Sequence, residues 1–337
     1  PVAFKSTISK AGHNGIMIKG AKSIEALNNA DTFVFDKTGT LTAGELEVIE
    51  VESYHDKWTT DELLNLTAST EEHYFHPVAE AVVKAAKQRG FVHMHHEEVE
   101  FIVAHGVKTE VNGKSVIIGS RHFLEDDEKI DFTEHKEKIE NSLKDGKTLL
   151  YISYDGKLLG TITLADEVRS NSKKAITKLR KLGVKNIIML TGDTKQKAKM
   201  IADELGINEV RAELLPQDKA RIVKELMNEG KKVAFVGDGI NDAAALISAH
   251  VGISMSRGAD IAKATADISL LKDDIMAVIE AKEYANKTMN LINNNFNATV
   301  GINSCILAGA TFGIFSPIVT AVLHNGTTIG LLLNSIK

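Results

Sequence analysis

The chain has 337 residues, a net charge of −5 and 25% charged residues, so it offers no basic surface of the kind that nucleic acid requires. Its single cysteine, Cys305, excludes a disulfide within the chain and fits a reducing, cytosolic setting. The length suffices for roughly two or three domains, and no signal peptide opens it: the chain starts at Pro1 and reads as cut from something longer.

Residues 1–30 predict a helix end and a connector, with Gly12-His13-Asn14-Gly15 as a turn and Ile16-Met17-Ile18 as a short extended piece. The apolar run Thr32-Phe33-Val34-Phe35 then predicts a buried strand that delivers Asp36 at its carboxyl end. In open parallel sheets, ligands and chemistry collect at that end. Asp36 opens the string Lys37-Thr38-Gly39-Thr40-Leu41-Thr42, in which Gly39 permits a tight turn and the small hydroxyl residues leave room for a phosphate. Leu46 to Val51 alternates like a strand, and Asp61 to Ser69 has helical spacing. Pro77 suits the first turn of a helix striped by Val78, Ala81, Val82 and Ala85. His93-Met94-His95-His96-Glu97-Glu98 invites a metal reading, but its spacing does not resemble a closed zinc site, and a solvated loop is favoured. Residues 110–158 predict short strands and one charged helix, with Asn112-Gly113 and Asp155-Gly156 as hairpin turns.

Beyond Gly160 the apolar pattern resumes. Asp166-Glu167-Val168-Arg169 is expected to open a helix with Ala175, Ile176 and Leu179 on its apolar face. The strand Asn186 to Leu190 ends in Thr191-Gly192-Asp193, and Leu214-Leu215-Pro216-Gln217-Asp218-Lys219 leads into a helix. The strand Val233 to Val236 ends in Gly237-Asp238-Gly239-Ile240-Asn241-Asp242. Three apolar strands that each end in a Gly-containing acidic motif, with helices between, predict a doubly wound α/β parallel sheet whose polar ends gather at one edge. Residues 43–158 are then an insertion after the first strand. Near the C-terminus, Phe296 to Ile314 and Pro317 to Ile336 lack charged residues, and each run approaches the roughly 20 residues of a membrane helix. Lys282, Lys287 and Lys337 flank the pair and place both ends on the positive, cytoplasmic side; a buried hairpin of soluble helices is the alternative.

The string from Asp36 to Thr42 resembles the phosphorylation motif of P-type ATPases. Glu71, five residues before the His76-Pro77 pair, is similar to the nucleotide-binding signature of the heavy-metal (type IB) branch. The resemblance covers nearly the whole chain and implies the C-terminal portion of such a pump. Its fold would be a haloacid dehalogenase-like sheet (31–43 and 159–280) with an inserted α+β nucleotide-binding domain (44–158). Residues 1–30 would be the cytoplasmic end of a membrane helix with a connector, and 281–337 a linker and two transmembrane helices.

The resemblance also implies roles. Asp36 would be the phosphorylated nucleophile, with Thr38 cradling the phosphate and Mg2+. Asp36, Thr38, Asp238 and Asp242 would converge on Mg2+, Asp242 either ligating or orienting a ligand. Thr191 and Asn241 would donate to phosphate oxygens and Lys219 would supply positive charge. Glu71, His76 and Gly106 would hold ATP at its adenine end, with Gly192 and Asp193 completing the cofactor-binding set. Two departures stand out: Ala104 replaces the first glycine of the family's Gly-x-Gly, and Ser120 stands where the family has Asn. His324-Asn325-Gly326-Thr327-Thr328 is similar to a motif of the divalent-cation subgroup, with Asn325 replacing its Glu, so His324, Thr328 and Asn303 are candidates for the transported ion. The implied partners are a transition-metal cation, membrane lipid, the actuator domain and the remaining membrane helices. The implied location is a bacterial cell membrane, with the catalytic domains in the cytoplasm.

Thr38 separates two enzymatic readings. Phosphatases of the superfamily generally carry an Asp two residues after the nucleophile as general acid and base, and Thr cannot do that work near neutral pH. A soluble phosphatase is therefore the weaker alternative, and a non-catalytic nucleotide- or metal-binding regulator is the other.

Overall fold

A computed structural model describes residues 2–72, 76–102, 105–143, 147–238, 240–256 and 260–336. Its strands are β1 (Ile16–Ile18), β2 (Thr32–Asp36), β3 (Thr42–Ser53), β4 (Glu100–Ile102), β5 (Gly106–Val111), β6 (Lys114–Gly119), β7 (Thr148–Tyr154), β8 (Lys157–Val168), β9 (Asn186–Leu190), β10 (Glu209–Arg211), β11 (Val233–Gly237), β12 (Val251–Ser254) and β13 (Ile268–Leu270). The chain divides into two compact units, residues 1–41 with 168–337, and residues 42–167. The insertion is thus longer than the expected 44–158, because β3 begins at Thr42 and β8 runs on to Val168.

The first unit is built on a sheet of order β1-β13-β12-β11-β2-β9-β10, parallel except where β1 meets β13. The central strands are unbroken apolar runs because both faces are covered. Phe33, Phe35, Ile187, Met189, Ala234 and Val236 pack on one side, with the helices Ser172–Lys181 and Lys195–Leu205. Val34, Ile188, Leu190, Val233 and Phe235 pack on the other, against Ile222, Val223 and Leu226 of the helix Pro216–Asn228. The period-2 alternation of strand side chains makes this division automatic. Phe33, Phe35 and Phe235 are fully buried, and truncating any of them to Ala is expected to cost about 3–5 kcal/mol.

Register then places the functional ends. β2 lies between β9 and β11, pairing Asp36 with Leu190 and Phe35 with Val236. The residues that follow these three strands therefore emerge side by side. The expected helix at Asp166–Arg169 is instead the end of β8 and a loop; the helix begins at Ser172. Asp166 accepts hydrogen bonds from Thr42 Oγ1 (2.6 Å) and Gly44 N (2.9 Å), which holds this stretch beside β3 and not in a helical turn.

The helix Met276–Thr311 is 36 residues long, about 54 Å at the standard rise. Its first turns are buried against the sheet unit through Val278, Ile279 and Ala281. Lys282 does not stand free as a flanking charge: its Nζ donates to the carbonyls of Leu27 (2.8 Å), Asn28 (2.8 Å) and Ala30 (3.1 Å), capping the helix Ala21–Asn29. Burial lowers its pKa to about 8. Thr288 and Thr7 share a buried 2.6 Å hydrogen bond. Beyond this point the helix and its successor Pro317–Asn334 expose their apolar side chains, Leu307, Phe312 and Ile318 among them. Among the described residues, no helix is long and apolar enough to cross a membrane. Asn297, Asn303, His324 and Asn325 dilute the apolar runs that the sequence suggested. Lys337 lies outside the described residues.

The second unit is a six-stranded antiparallel sheet, β3-β8-β7-β6-β5-β4, covered by the helices Thr60–Glu71 and Pro77–Gln88. Both expected hairpin turns form: Asn112 (φ 53°) with Gly113 (φ 72°), and Asp155 (φ 54°) with Gly156 (φ 74°), the left-handed pairs that match strand twist.

Candidate active site

The parallel register gathers an acidic cluster at the carboxyl ends of β2 and β11. One carboxylate oxygen from each of Asp36, Asp238 and Asp242 lies within 4.8 Å of the others. Lys219, on the first turn of the helix Pro216–Asn228, reaches in with Nζ 2.8 Å from Asp36 Oδ1 and 2.7 Å from Asp242 Oδ1. Pro216 starts that helix at its first position, and Asp218 caps it through Leu215 N (2.9 Å), so the lysine's Cα is fixed by local geometry. Asp242 also accepts from Asp238 N at 3.2 Å and orients its neighbour.

Three carboxylates against one ammonium leave the cluster short of positive charge. Burial, then the charge of Asp242, raises the Asp36 pKa to about 7 despite Lys219. Burial and Asp242 likewise raise Asp238 to about 6, with Lys219 and Arg169 opposing. Burial pulls the Lys219 pKa down, but Asp36 and Asp242 outweigh it, so its pKa is raised and it stays charged. The donor set is all oxygen, which suits Mg2+ rather than a soft metal.

The loop after Asp36 is shaped by its neighbours. Gly39 has φ +70°, and a Cβ there would stand 1.7 Å from Asp238 Oδ2. Lys37 is buried and pairs with Asp193 Oδ2 at 2.9 Å, tying the end of β2 to the loop after β9. Arg169 donates to the carbonyls of Gly39 and Thr40, each at 3.1 Å, and pairs with Asp273 at 2.8 Å. Sequence reasoning gave Lys37 and Arg169 no part here. The available signals were a lysine directly after Asp36 and an arginine just past the acidic pair Asp166-Glu167, in a stretch whose pattern suggested a helix. Thr191 is buried and accepts from Asp193 N (3.1 Å), while Gly192 passes close to the Leu214 carbonyl, which would lie 3.2 Å from a Cβ. Thr38 and Asn241 are exposed beside the cluster. Gly239 lies outside the described residues.

The other expected residues meet in the second unit, around a cavity of ≈ 350 Å3 lined by Glu71, His76, Phe101, Gly106, Ser120 and Leu149 among others. Gly106 pairs across the strands with Gly119, and a Cβ on Gly106 would stand 2.0 Å from the Ile118 carbonyl oxygen. Glycine is thus required there by backbone approach. Glu71 is buried, and desolvation raises its pKa to about 7. His76 caps the helix Pro77–Gln88, with Nδ1 accepting from Val78 N at 3.3 Å, which leaves the Nε2 edge for a ligand. Ser120 accepts from Phe123 N at 3.2 Å, so part of its hydrogen-bonding capacity is already engaged. Ala104 lies outside the described residues.

In the helix pair, His324 Nδ1 lies 3.0 Å from Asn303 Oδ1, so these two are brought together. Thr328 donates its hydroxyl to the His324 carbonyl at 3.0 Å. Cys305 is exposed.

Comparison with known proteins finds matches to the chain and its fold. A family described as haloacid dehalogenase-like hydrolase matches residues 30–250. The zinc-exporting P-type ATPase of Mycobacterium marinum is 38% identical over 336 residues, covering 99% of this chain and 46% of that protein. The manganese-exporting P-type ATPase of Mycobacterium tuberculosis is 37% identical over 336 residues, covering 99% and 47%. The chain thus spans about half the length of the curated relatives it matches. A crystal structure of a zinc-transporting PIB-type ATPase in the E2.Pi state superposes with a TM-score of 0.90 at 32% identity, over 100% of this chain and 54% of the other.

Proposed function

We propose that this chain, which belongs to the haloacid dehalogenase-like hydrolase family and whose homologues are heavy-metal P-type ATPases, accepts the γ-phosphoryl group of ATP on Asp36 as part of a metal-cation pump. The observation that carries the reading is Lys219 bridging Asp36 and Asp242, with Asp238 in the same cluster. Nucleophile, counter-charge and cation ligands then share one sheet edge.

In this reading an Asp36 oxygen attacks the γ-phosphorus in line while the bond to the ADP oxygen breaks. Lys219 offsets the charge on the transferring group, and Thr191 and Asn241 donate to its oxygens. Asp36, Thr38 and Asp238 would hold Mg2+, with Asp242 orienting Asp238. When bound, the ion supplies the positive charge that lets a carboxylate approach a triphosphate. Glu71 and His76 would bind adenine, Glu71 facing the exocyclic amine. Gly192 and Asp193 shape the wall beside Thr191, and Asp193 does so through Lys37.

Thr38 has no carboxylate with which to activate water, so the aspartyl-phosphate is long-lived. That suits a pump whose intermediate must outlast a conformational change. The exposed apolar side chains of the two C-terminal helices support their placement in lipid, beside further membrane helices and an actuator domain. His324, Asn303 and Thr328 would contact the transported ion. Export of a divalent transition metal is favoured by an imidazole ligand and by relatives named as zinc and manganese exporters. The cell membrane, with both catalytic units in the cytoplasm, is the matching location.

Incubation with γ-labelled ATP and Mg2+ tests the reading. We expect a slowly decaying, hydroxylamine-sensitive adduct that disappears in Asp36→Asn. Rapid steady release of phosphate without an adduct would instead favour the phosphatase reading, and labelling that survives Asp36→Asn would overturn both.

A further inference from the structure

The segment 91–99 has no regular secondary structure, yet it is held in place. Met94 N donates to Ser69 Oγ at 2.8 Å, and Glu97 N donates to the Glu110 carbonyl at 2.9 Å. This fixes two histidines whose ring centres lie 5.5 Å apart, His93 and His96.

The hydrogen bonds select the tautomers. His96 Nδ1 lies 2.7 Å from the Glu97 carbonyl oxygen, which can only accept, so Nδ1 carries the proton and Nε2 presents a lone pair. That Nε2 is buried with no hydrogen-bond partner among the described residues. His93 Nδ1 lies 3.1 Å from Glu72 Oε1, a carboxylate that accepts a hydrogen bond from Nδ1–H, so Nε2 again presents the lone pair. Metal-ligating histidines are held in this way, one ring nitrogen donating to a carbonyl or carboxylate while the other binds. Two imidazoles on one tetrahedral ion, with bonds of about 2.0–2.1 Å, set their ring centres about 5 Å apart.

The geometry points to a transition-metal site on the adenine-binding unit, with His93 and His96 as ligands through Nε2 and Glu72 orienting His93. The expectation of a merely solvated loop does not explain a buried, unpartnered imidazole nitrogen. Two neutral imidazoles with water completing the shell select a borderline divalent ion such as Zn2+, Co2+ or Ni2+. No cysteine belongs to this unit, which argues against Cu+. Glu72 directly follows Glu71 in the chain, but Glu72, His93 and His96 do not line the cavity that holds Glu71. The unit contains neither Asp36 nor the helix pair, so the inference stands or falls independently of phosphoryl transfer.

Titration of the full chain with Co2+ in saturating Mg2+, read by the visible absorption of nitrogen-ligated cobalt, tests it. The wild type should show a component that His93→Gln/His96→Gln loses, that Glu72→Gln weakens about 10-fold, and that His95→Gln leaves unchanged. Melting temperatures matched to the wild type would exclude misfolding. Where a variant fails to fold, Co2+ broadening of the His93 and His96 ring-proton resonances in the wild type provides the same reading. An unchanged titration in the double variant, or resonances of these two rings that ignore Co2+, would overturn the assignment.

Discussion

Gly39 and Asp238 occupy adjoining space: the carboxylate of Asp238 fills the volume that a side chain on Gly39 would need, with Oδ2 1.7 Å from the position of a Cβ. The glycine is therefore a steric requirement of the second strand's acid, in addition to accommodating φ +70°.

Gly39→Ala should consequently behave as a site lesion. The backbone strain costs about 1–2 kcal/mol, a few degrees of melting temperature. Displacement of Asp238 should lower the phosphorylation rate by on the order of 100-fold, because misplacement of about 1 Å has that effect. Calorimetry and a phosphorylation time course on one sample check both effects.

Lys219→Met removes the shared counter-charge of Asp36 and Asp242 and leaves two buried carboxylates and the half-buried Asp238 close together. Adduct formation should fall by about 100–1,000-fold. Lys219→Arg should not restore it, because a planar fork cannot reproduce one Nζ bridging two oxygens at 2.8 and 2.7 Å. Substantial rescue by Arg would show that charge alone suffices.

The raised carboxylates make a prediction about pH. Asp36 titrates near 7 and Asp238 near 6 in the folded chain, against about 3.9 when unfolded. Between these values the folded state binds more protons, so this contribution to stability is present at low pH and is lost as pH rises through 6 and 7. Asp36→Asn removes much of the penalty while Lys219 keeps Asp242. In Mg2+-free buffer the variant should melt above the wild type at pH 8, and the gap should close towards pH 4. Saturating Mg2+ should narrow the gap at pH 8 by stabilising the wild type. Equal melting temperatures across the range would refute the proposed charge imbalance.

Glu71 follows the same logic in the other unit. Its pKa near 7 arises from burial, so Glu71→Gln should raise the melting temperature at pH 8 without nucleotide. The same change should reduce the preference for ATP over GTP by about 5–10-fold, the worth of one hydrogen bond. Competition binding measures this.

Much of the sheet was legible in the sequence because doubly covered strands must be continuous apolar runs. Thr32–Phe35, Asn186–Leu190 and Val233–Val236 are such runs, and each is followed by a glycine-bearing acidic turn. Strands β10, β12 and β13, three or four residues each, were not read from the sequence, because unlike the three central runs they are not directly followed by a glycine-bearing acidic turn. Asp166–Arg169 was misread as a helix start because its carboxylate resembles a cap, whereas its partners Thr42 and Gly44 are distant in the chain.

Local sequence by itself determined which residues are acidic, where the chain turns and which segments must be buried, because these follow from side-chain chemistry and period. Tertiary structure alone decided that Lys219 faces Asp36 across 183 positions, that Lys37 answers Asp193, and that Arg169 clamps the Gly39 loop. Pairings of that kind arise from strand register and helix packing, which bring together groups with no local reason to meet.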